Sequence, residues 1–336
     1  MSAPAAAPRI RFAGIGDEAA TDLTGQLAAL DRLGWSQLEL RTVDGQWLAD
    51  LPEDAVRRIA DRITDHGVRV VGAASRIGNW AGTVADPFDE DLDELTALGP
   101  RCAALGTRFV RVMSYPNAGL PEAEWRRRVL ERLRALAELA GALGLVLLHE
   151  NCSGWAGSSA ERMLDLVTTV DSPALRLLLD TGNGVPYGYD SHLMLLEVAD
   201  HVAHVHVKDA VGGSERTRYV PPGEGGARVA DSLRLLLERG WSGTWSLEPH
   251  LQVRPHEGRT AADGGADSGF VRAGRALARL VEQQVLPSAP GWRAVPGGLR
   301  CIPAAALPAG RRGAPATLPG GSPDTSAPLP HGAVGR

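Results

Sequence analysis

The chain has 336 residues, 44% of them hydrophobic, enough to bury a full core in one large domain or two ordinary ones. Its formal net charge of -5 supplies no basic excess for a nucleic-acid surface, and the densest basic run, Arg126 to Arg128, falls in a helical pattern as a solvated face. Cys102, Cys152 and Cys301 lack CxxC-type spacing, which argues against a disulfide framework or a thiolate zinc site, and no apolar run approaches the ~18 residues of a membrane span. The N-terminus, MSAPAAAPRIRF, has no leader pattern, so a soluble cytoplasmic protein is expected.

In chain order, a strand is predicted over 10–15. Leu23, Leu27 and Leu30 then mark a helix that starts after Thr21 and Asp22 and stops at Gly34. A strand at 37–41, a helix at 53–65, a strand at 68–73, a helix at 89–105 and a strand at 107–113 follow. Pro121 opens a helix with Trp125, Val129, Leu133, Leu136 and Ala140 on one stripe, and Gly144 ends it. Strands at 145–150, 175–180, 202–208 and 244–248 alternate with helices at 158–170, 191–199, 229–239 and 268–284. Strand and helix alternate eight times, the pattern of a (β/α)₈ TIM barrel. An open doubly wound sheet is the alternative, but the first strand is followed by no GxGxxG, only Gly14 and Gly16. The expected organisation is a disordered N-terminus over 1–8, a barrel catalytic domain over 9–284 and a disordered Pro/Gly/Ala-rich C-terminal tail over 285–336. The tail shows no apolar period to offset its ordering entropy.

Four metal-competent side chains end four successive predicted strands: Glu150 in LVLLHEN, Asp180 in LRLLLDTGN, His206 in HVAHVHVKD and Glu248 in TWSLEPH. Period-2 alternation puts Leu148 with Glu150, Leu178 with Asp180, His204 with His206 and Ser246 with Glu248 on one face, so all four groups converge if that face is inward. Each alone reads as a helix cap or strand-end ion pair. Together, three carboxylates in a low-dielectric mouth repel unless a proton or cation intervenes. Three oxygens and one imidazole suit one divalent metal ion, Mn²⁺, Mg²⁺ or Co²⁺, with zinc disfavoured.

Through GIGDEAATDLTGQLAALDRLGWSQLELR, HEN, LLLDTGN, HVHVKDA, PPGEGG and SLEPH, from about residue 10 to 284, the chain resembles the xylose-isomerase-like family of TIM barrels. This sugar phosphate isomerase/epimerase group also includes endonuclease IV, inosose dehydratase and ketose 3-epimerases. The resemblance implies that Glu150, Asp180, His206 and Glu248 bind the metal. It further implies an isomerase or epimerase of a small sugar or sugar phosphate, working through a metal-stabilised cis-enediolate with Glu150 and Glu248 as acid and base, in unassigned order. Asn183 departs from the substrate-binding histidine often found near that place in epimerases of the family.

The substrate-binding candidates are Lys208, Asn183, Glu39, His250 and Trp155, with Arg41 and Trp80 as further mouth residues. Their bland readings are internal ion pairs, loop positions and buried packing. Asn151 is a candidate support for the site, and His149 points off its face. The loop at 222–226 is a candidate flap carrying Glu224, or simply a turn. The expected partner is a small-molecule sugar or sugar phosphate, without nucleic acid or membrane, and a homo-oligomer is open. The competing functions are a metal-dependent polyol dehydratase, an endonuclease-IV-like hydrolase and a non-catalytic sugar sensor.

Overall fold

The structure, a computed structural model, describes residues 9–251 and 269–302. Eight parallel strands form the ring: β1 (Arg9–Gly14), β2 (Gln37–Leu40), β3 (Arg69–Ala74), β4 (Phe109–Ser114), β5 (Val146–Gly154), β6 (Leu175–Asp180), β7 (Val202–Val207) and β8 (Gly243–Leu247). Each pairs with its sequence neighbour from β2 through to β8, and β8 pairs with β1. A parallel bridge from Ile15 to Glu39 closes the ring between β1 and β2. The chain is the expected TIM barrel.

Outside the ring run α1 (Leu23–Leu33), α2 (Glu53–Asp65), α3 (Asp89–Ala104), α4 (Glu122–Ala142), α5 (Ala160–Val170), α6 (Ser191–Val198), α7 (Val229–Glu238) and α8 (Gly269–Leu280). Their ends follow the local chemistry read from the sequence. The Asp22 side chain accepts from Gly25 N at 2.9 Å to start α1, and Gly34, left-handed at φ 66°, stops it. Ser159 and Asp190 cap α5 and α6 in the same way.

The barrel wall sorts its side chains by polarity. Leu38, Leu40, Val110, Val112, Leu147, Leu177, Leu179, Val205, Val207, Trp245 and Leu247 are buried in the apolar core, while Glu39, Arg111, Glu150, Asp180, His204 and His206, on the alternate positions, are buried polar. Aromatic rings knit the wall to its cover: Phe12 stacks on Trp245 with centroids 6.0 Å apart, and Trp35 meets Phe270 edge-on at 6.5 Å. Gly14 is required there, because a Cβ would come within 2.3 Å of the Phe270 ring.

One boundary needs correction. The expectation of disorder from 285 onward fails for 285–302, where the chain is ordered. Beyond α8 come a π-turn (Val281–Val285), a 3-10 turn (Leu286–Ser288) and an antiparallel hairpin of β9 (Trp292–Val295) and β10 (Gly298–Cys301). β10 pairs antiparallel with β1, Ile10 facing Leu299, and extends the sheet at the bottom of the barrel. Trp292 is buried and donates from Nε1 to Leu237 O at 3.2 Å, so a few apolar side chains anchor this segment despite its Pro/Gly background. The predicted segments at 1–8 and 303–336 lie outside the described residues.

Candidate active site

Neighbouring strands are aligned so that Ser246 faces His206 and His206 faces Asp180, while Glu150 faces Leu178 two residues before Asp180. With side chains alternating, this register carries Glu150, Asp180 and His206 onto the axis at one level, and Glu248 joins them just past the end of β8. One donor atom from each of the four lies within 4.8 Å of all the others, and all four residues are buried. His206 Nδ1 is 3.3 Å from Glu150 Oε1 and 3.3 Å from Glu248 Oε2.

The imidazole is fixed from behind. Glu39 uses Oε1 for His206 Nε2 at 2.9 Å and Oε2 for His204 Nε2 at 2.9 Å. That bond commits Nε2 and turns Nδ1 toward the carboxylates, as a carboxylate behind a ligating imidazole does in metal sites. Glu39, expected among the substrate contacts, is instead buried behind the imidazoles and is not among the cavity-lining residues. Asn151 supports Asp180 in a comparable way, accepting from Asp180 N at 2.6 Å and donating to Asp180 O at 2.9 Å. Asp180 Oδ1 accepts from Gly182 N and Asn183 N, which leaves Oδ2 to face the other three residues of the quartet.

Whether these residues suit a metal can be judged from their unmet bonding. Asp180 Oδ2 and Glu248 Oε2 are buried and have no hydrogen-bond partner. Lys208 Nζ stands 3.0 Å from the first and 2.8 Å from the second, off the hydrogen-bond direction, while it donates to Asn183 Oδ1 at 3.1 Å. Two orphaned carboxylate oxygens beside a third carboxylate and an imidazole nitrogen form a donor set that a hard divalent cation satisfies. The residues fit.

Burial and neighbours pull the carboxyl groups apart. Burial works to raise Glu248, but Lys208, His250 and His206 outweigh it and hold this carboxyl well below its usual range. Glu150 is likewise lowered, its burial overcome by the His206 bond and by Arg111. Asp180 is pushed up to about 6 by burial, with Glu150 and Glu248 adding to the push against Lys208. Three carboxylates on one site split in this way because they cannot all be ionised at equal cost.

Around the quartet lies a cavity of about 400 Å³, walled by Arg41, Trp47, Arg76, Trp80, Arg111, Tyr187, Tyr219 and His250 among others. Lys208, Asn183 and His250 are among its lining residues. Trp155 is not: it is buried outside the cavity and its Nε1 donates to Glu122 Oε1 at 2.8 Å, so the tryptophans and tyrosines of the wall are Trp47, Trp80, Tyr187 and Tyr219.

Arg41 completes a network missed in the sequence. It clamps Asp17 through Nε and Nη2, reaches Glu18 Oε1 at 3.2 Å and holds Glu248 Oε1 at 3.0 Å. Glu18 in turn accepts from His250 N at 2.7 Å and contacts His250 Nδ1 at 2.7 Å, which anchors a backbone bent to φ 50°. Asp17 and Glu18 sit in GIGDE, directly after β1. A strand-end position is the signal that could have found them. The 222–226 loop is not a loose flap, since Asp209 accepts from the backbone N–H of Gly223, Gly225 and Ala227 and ties it down. Glu224 is exposed and is not among the cavity-lining residues.

Residues 27–267 match the family model described as xylose isomerase-like TIM barrel, and the chain belongs to that family. It is 32% identical over 174 residues to the 2-epi-5-epi-valiolone 7-phosphate 2-epimerase of Actinoplanes sp., covering 52% of this chain and 61% of that protein. To the inosose dehydratase of Bacillus licheniformis it is 30% identical over 139 residues, covering 36% and 45%. The chain thus spans about half the length of the curated relatives it matches. Among solved structures, D-allulose 3-epimerase from Methylomonas sp. in complex with D-allulose superposes with a TM-score of 0.62 at 20% identity, covering 83% of this chain and 99% of that one. The IOLI protein with a bound zinc atom does so with a TM-score of 0.65 at 17% identity, covering 83% and 99%. At such identities the structural likeness speaks for the fold. Among the described residues, no helix is long and apolar enough to cross a membrane.

Proposed function

We propose that this chain is a divalent-metal-dependent isomerase or epimerase of a small sugar or sugar phosphate. The observation that carries the reading is the convergence of Glu150, Asp180, His206 and Glu248 beside a cavity that Glu150 and Glu248 line together with cations and tryptophans. A divalent ion held by these four residues would supply Lewis-acid polarisation of a carbonyl oxygen. The donor set favours manganese, magnesium or cobalt over zinc.

The chain's own residues account for the rest. Glu150 and Glu248, entering from the fifth strand and from beyond the eighth, are the pair that moves the proton: one, ionised, takes it from the carbon beside the carbonyl, and the other, having taken up a proton from solvent, returns one. Arg41 and Lys208 grip Glu248, and Asn183 Nδ2 lies 3.3 Å from Glu150 Oε1, so neither carboxylate swings freely. Trp47 and Trp80 offer flat faces to the C–H side of a sugar.

The test is exchange of the substrate's α-proton with solvent deuterium over a panel of ketoses and their phosphates. Wild type should exchange and convert one of them. Glu150→Gln and Glu248→Gln should each lose about 10²- to 10⁴-fold in turnover while keeping most of their metal. Turnover within a few-fold of wild type in both metal-loaded variants would refute the two-carboxylate reading. A polyol dehydratase, the reaction named for one group of relatives, is the second reading, and a product lighter by one water would select it.

A further inference from the structure

One cation on the cavity wall has its hydrogen-bonding capacity unused. Arg111 lies mid-strand on β4 with its side chain 7% exposed, and it lines the cavity. Among the described residues its guanidinium makes no hydrogen bond. Its one charged contact is Nε to Glu150 Oε2 at 3.4 Å, and Nε is buried without a partner. The other arginines of this wall are engaged: Arg41 by Asp17, Glu18 and Glu248, and Arg76 by Asp50 and Glu94. Arg111 helps offset the burial of Glu150, but the hydrogen bonds to that carboxylate come from elsewhere, with Asn183 and His206 on Oε1.

A guanidinium keeps its charge at any accessible pH and presents five N–H donors in a rigid fork. Leaving Nε of that fork buried and unmatched is costly, and an acceptor with two oxygens in one plane matches the fork. The place of the fork is informative as well. Because Arg111 touches Glu150, an anion seated on it lies within one or two bonds of a carbon presented to that carboxylate. Lys208 is held by Asp180, Glu248 and Asn183 and does not compete.

We propose that Arg111 receives an anionic oxygen group of the substrate, a carboxylate or a phosphate, carried beside the reacting carbon. The substrate class is then an acidic ketose, not a neutral one. This inference rests on the sugar isomerase/epimerase reading and narrows it.

Three six-carbon ketoses that differ only at C1 test it: D-fructose, 2-keto-D-gluconate with a carboxylate there, and D-fructose 1-phosphate. Affinities of the full metal-loaded chain come from titration calorimetry and from the fluorescence of Trp47 and Trp80 in the cavity wall. In wild type at least one acid should bind about 10-fold or more tighter than D-fructose, the return expected from a charge-assisted contact, and which acid does so identifies the source of the anion. In Arg111→Met the acid-to-neutral affinity ratio should fall to within about threefold of one, with Arg111→Lys in between because a point charge replaces the fork. A wild-type protein that binds D-fructose as tightly as both acids overturns the inference without any variant. An unchanged ratio in Arg111→Met overturns it too. Should D-fructose bind and exchange its α-proton while neither acid gains, this inference alone falls; should no ketose, charged or neutral, bind or exchange, the reading beneath it falls as well.

Discussion

His149 and Glu150 are adjacent in the chain and opposite in fate, because a strand turns successive side chains to opposite faces. Glu150 points to the axis and is surrounded by partners. His149 points into the layer between wall and helices, where neither ring nitrogen has a hydrogen-bond partner and burial pushes its pKa down to about 4. Its ordinary value is about 6.5, so below that pH the unfolded chain takes up a proton that the folded chain refuses. Stability is therefore full above about pH 6.5 and is lost as pH falls toward 4. By linkage the loss attributable to this group is about 2 kcal/mol at pH 5. His149→Leu should shrink the difference in urea-unfolding stability between pH 7.5 and pH 5 by that amount, and the same pH dependence in variant and wild type would contradict the assignment. At this scale the convergence of Glu150, Asp180, His206 and Glu248 was legible, since period 2 and a strand end define both face and height. Arg111 was not, because a single arginine within an apolar strand looks like a surface residue until the ring closes around it.

Secondary-structure elements were legible where a long period or a cap marked them. α1 lies where its cap and leucine stripe put it, and α2 keeps its expected bounds of 53–65. β5 runs on to Gly154, four residues past its expected end, because a bulge shifts its pairing with β4 so that Ser114 meets Gly154. The hairpin of β9 and β10 was missed for another reason. Each strand has four residues, too few for an apolar count, and Pro- and Gly-rich sequence surrounds them. A proline followed by Gly297 at φ 65° is nonetheless turn chemistry, with Trp292 before it and Leu299 after it as the buried anchors. Cutting the chain after Gln284 removes these anchors together with Val285. The melting temperature should then drop by on the order of 10 °C, several kcal/mol of lost burial. Cutting after Ile302 should change it by no more than about 2 °C. Equal melting temperatures for the two truncations would show that the hairpin is an ornament.

Across the whole molecule, the barrel gathers onto one axis charges that no single helix or hairpin could hold together. Asp17, Glu18, Glu39, Glu150, Asp180 and Glu248 are all buried near Arg41, Arg111, Lys208 and three imidazoles, and the apolar layer outside keeps them at low dielectric. Two carboxylate oxygens at the centre, Asp180 Oδ2 and Glu248 Oε2, accept no hydrogen bond even with Lys208 beside them, which makes the metal quartet the central claim. Its direct test is calorimetric titration of the chelator-stripped protein with Mn²⁺. Wild type should bind one ion per chain, and Asp180→Ala and His206→Ala should each weaken binding by on the order of 100-fold or more, with metal-free melting temperatures within a few degrees of wild type. One Mn²⁺ bound with unchanged affinity by both variants would contradict the account.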